Sequence, residues 1–89
     1  MLRATSDTPD TAPTPRDHDL LQKLSPREVE VVTAIGKGRT NREIATDAGI
    51  SVKTVDTHRM NAISKLAGLG VRNNADLTRF TIRCGLVTP

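Results

Sequence analysis

Residues 40–66 constrain the fold more than any other part of the chain, because they predict two helices joined by one tight turn. Thr40 is followed three residues later by Glu43, which is the spacing of a capping box at a helix start. Gly49 then offers the left-handed conformation that commonly ends a helix. Ser51 can cap a longer helix over about residues 52–66. The segment therefore predicts a short helix, a turn and a longer helix.

The longer helix has two chemically different sides. At about 100° per residue, Val55, Ala62 and Leu66 share an apolar face, with His58 at its edge. The opposite face is polar and basic and carries Lys53, Thr57, Met60 and Ser64. Because this second face has no apolar stripe to bury, we expect it to be exposed to a ligand. In a basic chain of this size, the ligand that fits best is the major groove of DNA.

Two further helices complete the predicted domain. Ser25, Pro26 and Glu28 form a strong start signal, and Gly36 and Gly38 end the helix that follows. Asn73 and Asn74 can cap a last helix, whose periodic residues are Leu77, Phe80, Thr81 and Cys84. We therefore predict an all-α fold: a compact four-helix domain over residues 20–89, with a helix-turn-helix formed by its second and third helices.

The positive charge is concentrated after the first nineteen residues. The whole chain has a net charge of +3, but residues 20–89 hold eleven Lys and Arg against six Asp and Glu. Residues 1–19 have a net charge of −2 and contain Pro9, Pro13 and Pro15. This composition predicts a disordered tail or interdomain linker over residues 1–19. The basic part favours polyanions, although charge alone does not choose between DNA, RNA and a membrane surface.

Composition argues against several classes of function. One Phe and no Trp or Tyr leave no aromatic platform for stacking single-stranded bases. The single Cys84 cannot form an internal disulfide, which favours a reducing intracellular setting, and no signal peptide or membrane-spanning run is evident. We find no nucleophile–base arrangement, paired carboxylates, phosphate loop or metal-ligand spacing. We therefore expect no enzyme activity, cofactor or metal.

Three stretches also resemble a known family: LSPREVEVV, GRTNREIATDAGISVKTVDTHRMNAISKL and VRNNADLTRFTIRCGL. In order and spacing they are similar to the LuxR-type helix-turn-helix domain, over about residues 24–87. That domain is the C-terminal DNA-binding module of NarL/FixJ-class response regulators and of quorum-sensing regulators. The resemblance implies sequence-specific binding of double-stranded DNA in transcriptional regulation, with the third helix in the major groove, at the nucleoid in the bacterial cytoplasm.

The resemblance also implies partners and contact residues. The chain is expected to be the output domain of a two-component response regulator, with a receiver domain in a longer parent chain. It is expected to be monomeric or weakly associated alone and to self-associate on DNA. Base-edge contacts would fall on Asp56, Thr57 and Met60. Phosphate contacts would fall on Asn41, Lys53, Thr54, Arg59 and Lys65. The last helix would provide a dimer surface of Leu77, Phe80, Thr81 and Cys84.

Two departures from the family pattern bear on these expectations. Asp56 and Met60 stand where many members have Lys or another polar residue. Asp56 can accept from a cytosine amino group, or it can instead orient Arg59 or Lys53. The segment Ala67-Gly68-Leu69 is an insertion before the last helix, which affects the geometry of a dimer. Asp56 and Met60 also keep an alternative open, a helix-turn-helix module that binds another regulator rather than DNA.

Overall fold

The computed structural model describes residues 14–88 and contains five α-helices in that range. The bounds are α1 Pro15–Leu21, α2 Pro26–Gly36, α3 Asn41–Ala48, α4 Val52–Leu66 and α5 Asn74–Arg83. A 3-10 turn, Ala67–Leu69, joins α4 to α5. The predicted all-α class is confirmed. The four predicted helices correspond to α2, α3, α4 and α5, so α1 is additional and the helix-turn-helix is formed by α3 and α4. No helix among the described residues is long and apolar enough to span a bilayer.

Reciprocal caps fix where α2 and α3 begin. The Ser25 hydroxyl accepts from the Glu28 amide at 3.1 Å, while the Glu28 carboxylate accepts from the Ser25 amide at 2.9 Å. Thr40 and Glu43 make the same pair of bonds at the start of α3. These bonds satisfy amides that have no partner within the helix. Gly49 ends α3 in the left-handed conformation, with φ of 70°. The predicted caps and turn are therefore confirmed.

The core lies where α2 packs against both α4 and α5. The largest fully buried side chain of this core is Phe80 of α5. The apolar face predicted for α4 is also buried, since Val55, Ala62 and Leu66 each have 0% exposure. Burial of this apolar surface is the main force that holds the helices together. The buried apolar residues are Leu24, Val31, Val32, Ile35, Ile44, Ala45, Val55, Ala62, Leu66, Val71, Leu77 and Phe80.

Gly36 allows α2 and α5 to approach closely. A Cβ atom at this position would lie 2.9 Å from the Cβ of Thr81 and 3.1 Å from a methyl group of Val87. Thr81 is fully buried, and its carbonyl accepts from the amides of Leu86 and Val87, which turns the chain end back onto α2. Gly36 is thus required by packing, whereas Gly38, with φ of 86°, supplies the left-handed turn that follows.

For residues 15–19 of the predicted disordered tail or interdomain linker, the expectation of disorder is wrong, because these residues form most of α1. Thr14 and Asp17 make a capping box at the start of this helix. Asp17 is 2% exposed and receives two hydrogen bonds from Arg83, at 2.8 and 3.0 Å, which fasten α1 to α5. Pro15 and the charged residues around it are typical of a linker in composition, but Pro15 here occupies the first turn of the helix. Residues 1–13 of the predicted tail lie outside the described residues.

The dimer surface predicted on the last helix is wrong for three of its four residues. Leu77, Phe80 and Thr81 each have 0% exposure and pack inside this chain. The periodicity that suggested a surface for a partner is therefore the core-facing side of α5. Cys84 is half-buried at the end of α5, and this burial raises the pKa of its thiol. An intermolecular contact through α5 has to use its outward-facing side.

Candidate nucleic-acid interface

The outer face of α4 is exposed, as predicted from its periodicity. Val55, Ala62 and Leu66 anchor the opposite side in the core. The outer face consists of the exposed residues Lys53, Thr54, Thr57, Met60, Asn61 and Ser64. A helix with one apolar and one polar side is common, but Met60 (52% exposed) and Val52 (45% exposed) also place large apolar groups in solvent on this helix. Because only the opposite side of α4 packs into the core, the whole outer face is available to a partner.

The start of α4 combines a cap with free polar groups. The Ser51 hydroxyl accepts from the Thr54 amide at 3.0 Å, and the two hydroxyl oxygens lie 2.8 Å apart. A helix start presents unpaired amides and the positive end of the helix dipole, so it suits an anion such as phosphate. Lys53 is exposed and forms no ion pair within residues 14–88. Lys53 and Thr54 are thus placed beside a favourable phosphate position.

Asn41 contributes from the neighbouring helix. It is the first residue of α3, directly after the Thr40 cap, and it is partly exposed. Arg39 precedes it and forms an exposed ion pair with Asp47 at 3.1 Å. An exposed pair of this kind contributes little to stability, at most about 1 kcal/mol, so Arg39 can exchange its partner for another anion. The α3 start therefore adds an amide side chain and a basic residue to the helix-turn-helix.

Thr57 and Met60 lie in the middle of the outer face of α4. The Thr57 hydroxyl donates to the Lys53 carbonyl at 3.1 Å, one turn earlier in the helix, and still has lone pairs that can accept. Met60 has no hydrogen to donate, so it can recognise only shape or an apolar group such as a thymine methyl. These two residues can provide one polar and one apolar contact to base edges.

Asp56 and Arg59 form an ion pair one turn apart on α4. The Asp56 Oδ1 atom accepts from Arg59 Nη2 at 2.7 Å and from Nε at 3.1 Å. Arg59 also donates through Nη1 to Asn74 of α5 at 3.3 Å. The Arg59 side chain is 21% exposed, against 49% for Asp56. The structure therefore brings Asp56 and Arg59 together, as one of the two readings of Asp56 predicted, and it gives Arg59 partners inside the protein.

Lys65 is also engaged within the chain. Its Nζ donates at 2.7 Å to the Glu28 carboxylate, which is buried at the start of α2. Burial alone would raise the pKa of Glu28, but the hydrogen bonds from Lys65 and the Ser25 amide outweigh it and lower that pKa. The ion pair connects the end of α4 to the cap of α2. A phosphate contact from Lys65 would have to compete with this buried carboxylate.

Sequence reasoning missed the contact that Asn74 makes. Asn73 is the residue that caps α5, since its side chain accepts from the Asp76 amide at 2.9 Å. Asn74 is the first residue of the helix and uses its side-chain oxygen to hold Arg59. Arg59 and Asn74 are separated by fifteen positions, so no local motif in the sequence indicates their contact. His58 lies partly exposed beside the core, in keeping with its predicted place at the edge of the apolar face.

Comparison with known proteins agrees with this arrangement. The model of the family described as bacterial regulatory proteins, luxR family (GerE), matches residues 22–81. The chain is 45% identical over 65 residues to the transcriptional regulatory protein TdiR of Thauera aromatica, covering 73% of this chain and 27% of TdiR. It is 39% identical over 66 residues to the uncharacterized response regulatory protein YgeK of Escherichia coli K12, covering 74% of this chain and 43% of YgeK.

A third relative is similar over a shorter segment. The response regulator protein VraR of Staphylococcus aureus is 46% identical over 48 residues, which is 54% of this chain and 23% of VraR. The chain thus spans less than half the length of each of these curated relatives. The family model nevertheless covers well over half of the chain, from the end of α1 through most of α5. This chain is a helix-turn-helix domain that belongs to the LuxR family of bacterial regulatory proteins.

Proposed function

We propose that this domain binds double-stranded DNA in a sequence-specific manner and regulates transcription, with α4 in the major groove. The observation that carries the proposal is the outer face of α4, which is polar and basic, makes no packing contact with the core, and lies opposite a fully buried face. A helix presented in this way has the dimensions to enter the major groove of B-form DNA. The position of the bound protein in the cell would be the bacterial nucleoid.

Affinity would come mainly from phosphate contacts. Asn41, Lys53 and Thr54 are exposed or partly exposed around the start of α4 and can reach the DNA backbone without breaking an ion pair. Each phosphate neutralised by Lys or Arg steepens the dependence of log affinity on log salt by about 0.9. Arg59 and Lys65 were predicted to make phosphate contacts too, but their carboxylate partners favour other roles.

Sequence preference would come from Asp56, Thr57 and Met60. These residues lie one and two turns into α4, on or beside its outer face. A good pair of hydrogen bonds to one base discriminates by about 1–3 kcal/mol, so a reader with so few base contacts recognises only a short half-site. Two copies on adjacent half-sites raise the affinity through effective concentration.

The relatives bear on the parent protein. TdiR and VraR are named as a transcriptional regulatory protein and a response regulator, and each is much longer than the matching segment. We infer that this domain serves as the output unit of a two-component response regulator with a receiver domain in the parent chain. Self-association on DNA would then use the outward-facing residues of α5, such as Ala75, Arg79 and Ile82, since its other side is core.

Duplex binding measured by fluorescence anisotropy over a range of salt concentrations tests the proposal. Lys53→Ala should weaken binding to every duplex and reduce the salt slope by about 0.9. Thr57→Ala should keep the slope and relax the preference for selected over random duplexes. Lys23→Ala, an exposed Lys between α1 and α2, is the matched control and should leave both quantities unchanged. The proposal would be overturned if the wild-type protein caused no change in the anisotropy of duplex DNA at low salt.

Binding to another regulator is the second candidate function. The exposed side chains of Val52 and Met60 favour it, because the buried centre of a protein interface is more apolar than the rest of the surface and Met is enriched there. Amide chemical shifts distinguish the two candidates. Under the DNA proposal, a duplex moves the α4 amides and this effect is lost at high salt. If the domain is instead a protein-binding module, the chemical shifts of the α4 amides should not change when duplex is added.

A further inference from the structure

The guanidinium of Arg59 is held from two helices. On α4 it makes two hydrogen bonds to Oδ1 of Asp56, and Nη2 also lies 3.5 Å from the Met60 sulfur. From α5, the Asn74 oxygen accepts from Nη1. Each of the three guanidinium nitrogens therefore has a partner inside the protein, and the side chain is largely buried among them. Arg59 is turned towards α5 and away from open solvent.

The Asp56 carboxylate is only half used by this contact. Both bonds from Arg59 reach Oδ1, and within the described residues Oδ2 accepts no hydrogen bond. The Asp56 side chain is 49% exposed and sits beside Thr57 on the outer face of α4. One oxygen is therefore fixed by the protein, while the other accepts no hydrogen bond from the described residues and is free to accept from a ligand.

We propose that Arg59 is a positioning residue, anchored by Asn74, that holds the Asp56 carboxylate so that its free oxygen accepts from the amino group of a cytosine in the major groove. This inference rests on the proposed DNA binding. A carboxylate is the usual acceptor for cytosine N4, and it cannot accept from a phosphate or from a carbonyl edge.

Two physical effects make the arrangement productive. An unpaired carboxylate brought between phosphates would be repelled, and the adjacent guanidinium cancels most of that repulsion. Holding the carboxylate in one orientation before binding also removes the entropy that a free side chain would lose on contact with DNA. Arg59 thus lowers the cost of placing an acidic residue in the groove without contacting DNA itself.

Asn74 makes the position of Asp56 depend on α5. The Asn73 cap fixes the backbone at the start of α5, and Asn74 follows directly. The turn Ala67–Leu69, followed by Gly70 at φ of 83°, sets where that start lies relative to α4. This connection is therefore the element that places Asn74 within reach of Arg59.

Asn74→Ala tests the anchor. Binding is measured for wild type and variant on a set of duplexes that differ by one base pair at each position of a selected half-site. We expect the preference for cytosine at one position to fall by about tenfold, while affinity for random duplex and the salt slope stay unchanged. Asn74→Asp, which keeps an oxygen acceptor for Arg59, should restore the preference, with a uniform loss of affinity from its added negative charge.

The double variant Asp56→Asn with Arg59→Gln separates positioning from direct phosphate contact. Both charges are removed, so a positioning role predicts lost cytosine preference with an unchanged salt slope. A decrease of about 0.9 in the slope would show that Arg59 contacts a phosphate and would overturn the inference. An Asn74→Ala variant with wild-type preference at every position would also overturn it. In either case wild-type duplex binding would leave the proposed function standing, whereas wild-type protein that fails to bind duplex would remove both.

Discussion

Lys65→Met should lower the free energy of unfolding by about 2 kcal/mol, because it leaves the buried Glu28 carboxylate without its cation. The estimate follows from the exposure of the two partners. The Glu28 side chain is 6% exposed and the Lys65 side chain 39%. Breaking a fully buried pair costs about 3–5 kcal/mol and breaking an exposed pair costs about 0–1 kcal/mol. A pair with one buried and one partly exposed member falls between these ranges.

Urea unfolding followed by circular dichroism measures this loss directly, and thermal unfolding should show a midpoint lower by about 10 °C for a domain of this size. The matched control is Glu28→Gln, which keeps an acceptor for the Ser25 amide and removes the buried charge. Combining it with Lys65→Met should recover much of the loss, since neither charge is then left alone. An unchanged urea midpoint for Lys65→Met would show that the ion pair with Glu28 does not stabilise the fold, and Lys65 would then be free to contact a phosphate.

The same pair predicts a dependence on pH. The folded state lowers the pKa of Glu28 below its ordinary value of 4.5, so the unfolded state binds a proton more readily. The stability that this group contributes is therefore complete above pH 4.5 and is lost as the pH falls through the lower, folded-state pKa. In Lys65→Met the pKa of Glu28 rises towards the value that burial favours. Urea unfolding at a series of pH values should then show a smaller acid-induced loss of stability in Lys65→Met than in wild type, because the folded and unfolded pKa values of Glu28 differ less in the direction that acid penalises.

Two other substitutions test how the helices are joined. Gly36→Ala should destabilise the domain by about 2 kcal/mol or more, because its Cβ would overlap Thr81, which is buried and has no room to move; a wild-type urea midpoint would contradict this. Asp17→Ala should lower the free energy of unfolding by about 2–3 kcal/mol, because it leaves Arg83 without its carboxylate partner and removes a cap of α1. Thr14→Ala removes the cap alone and should lower the free energy of unfolding by about 1 kcal/mol. Equal urea midpoints for these last two variants would show that the ion pair does not secure α1.

Much of the fold was predictable because the relevant interactions are local. A capping box joins residues three positions apart, so Ser25 with Glu28 and Thr40 with Glu43 announce helix starts in the sequence itself. Gly49 marks the turn for a similar reason, since only its own backbone conformation is involved. Helical periodicity likewise identified the buried and exposed sides of α4, because the period of the helix is a local property.

The errors came from residues whose role depends on distant partners. Periodicity on α5 correctly identified one apolar side, but it does not say whether that side meets this chain or another, and the structure shows that it meets α2. Gly36 ends α2 as predicted, but the close approach of Thr81 on α5, which also requires a glycine there, is not visible in the sequence. Residues 15–19 carry a local helix-start signal in Thr14 and Asp17, but the ion pair that holds this helix on the domain joins residues 66 positions apart.

The order of residues along the chain thus determined the helix starts, the turn at Gly49 and the polar side of α4, since each depends on neighbours within one or two turns. Tertiary structure decided which charged residues are free to meet a ligand. Lys65 is paired with Glu28 across 37 positions and Arg59 with Asn74 across fifteen, whereas Lys53 has no such partner among residues 14–88. The physical reason is that an ion pair or hydrogen bond between residues far apart in sequence depends on their distance in space, which only the packing of the helices sets.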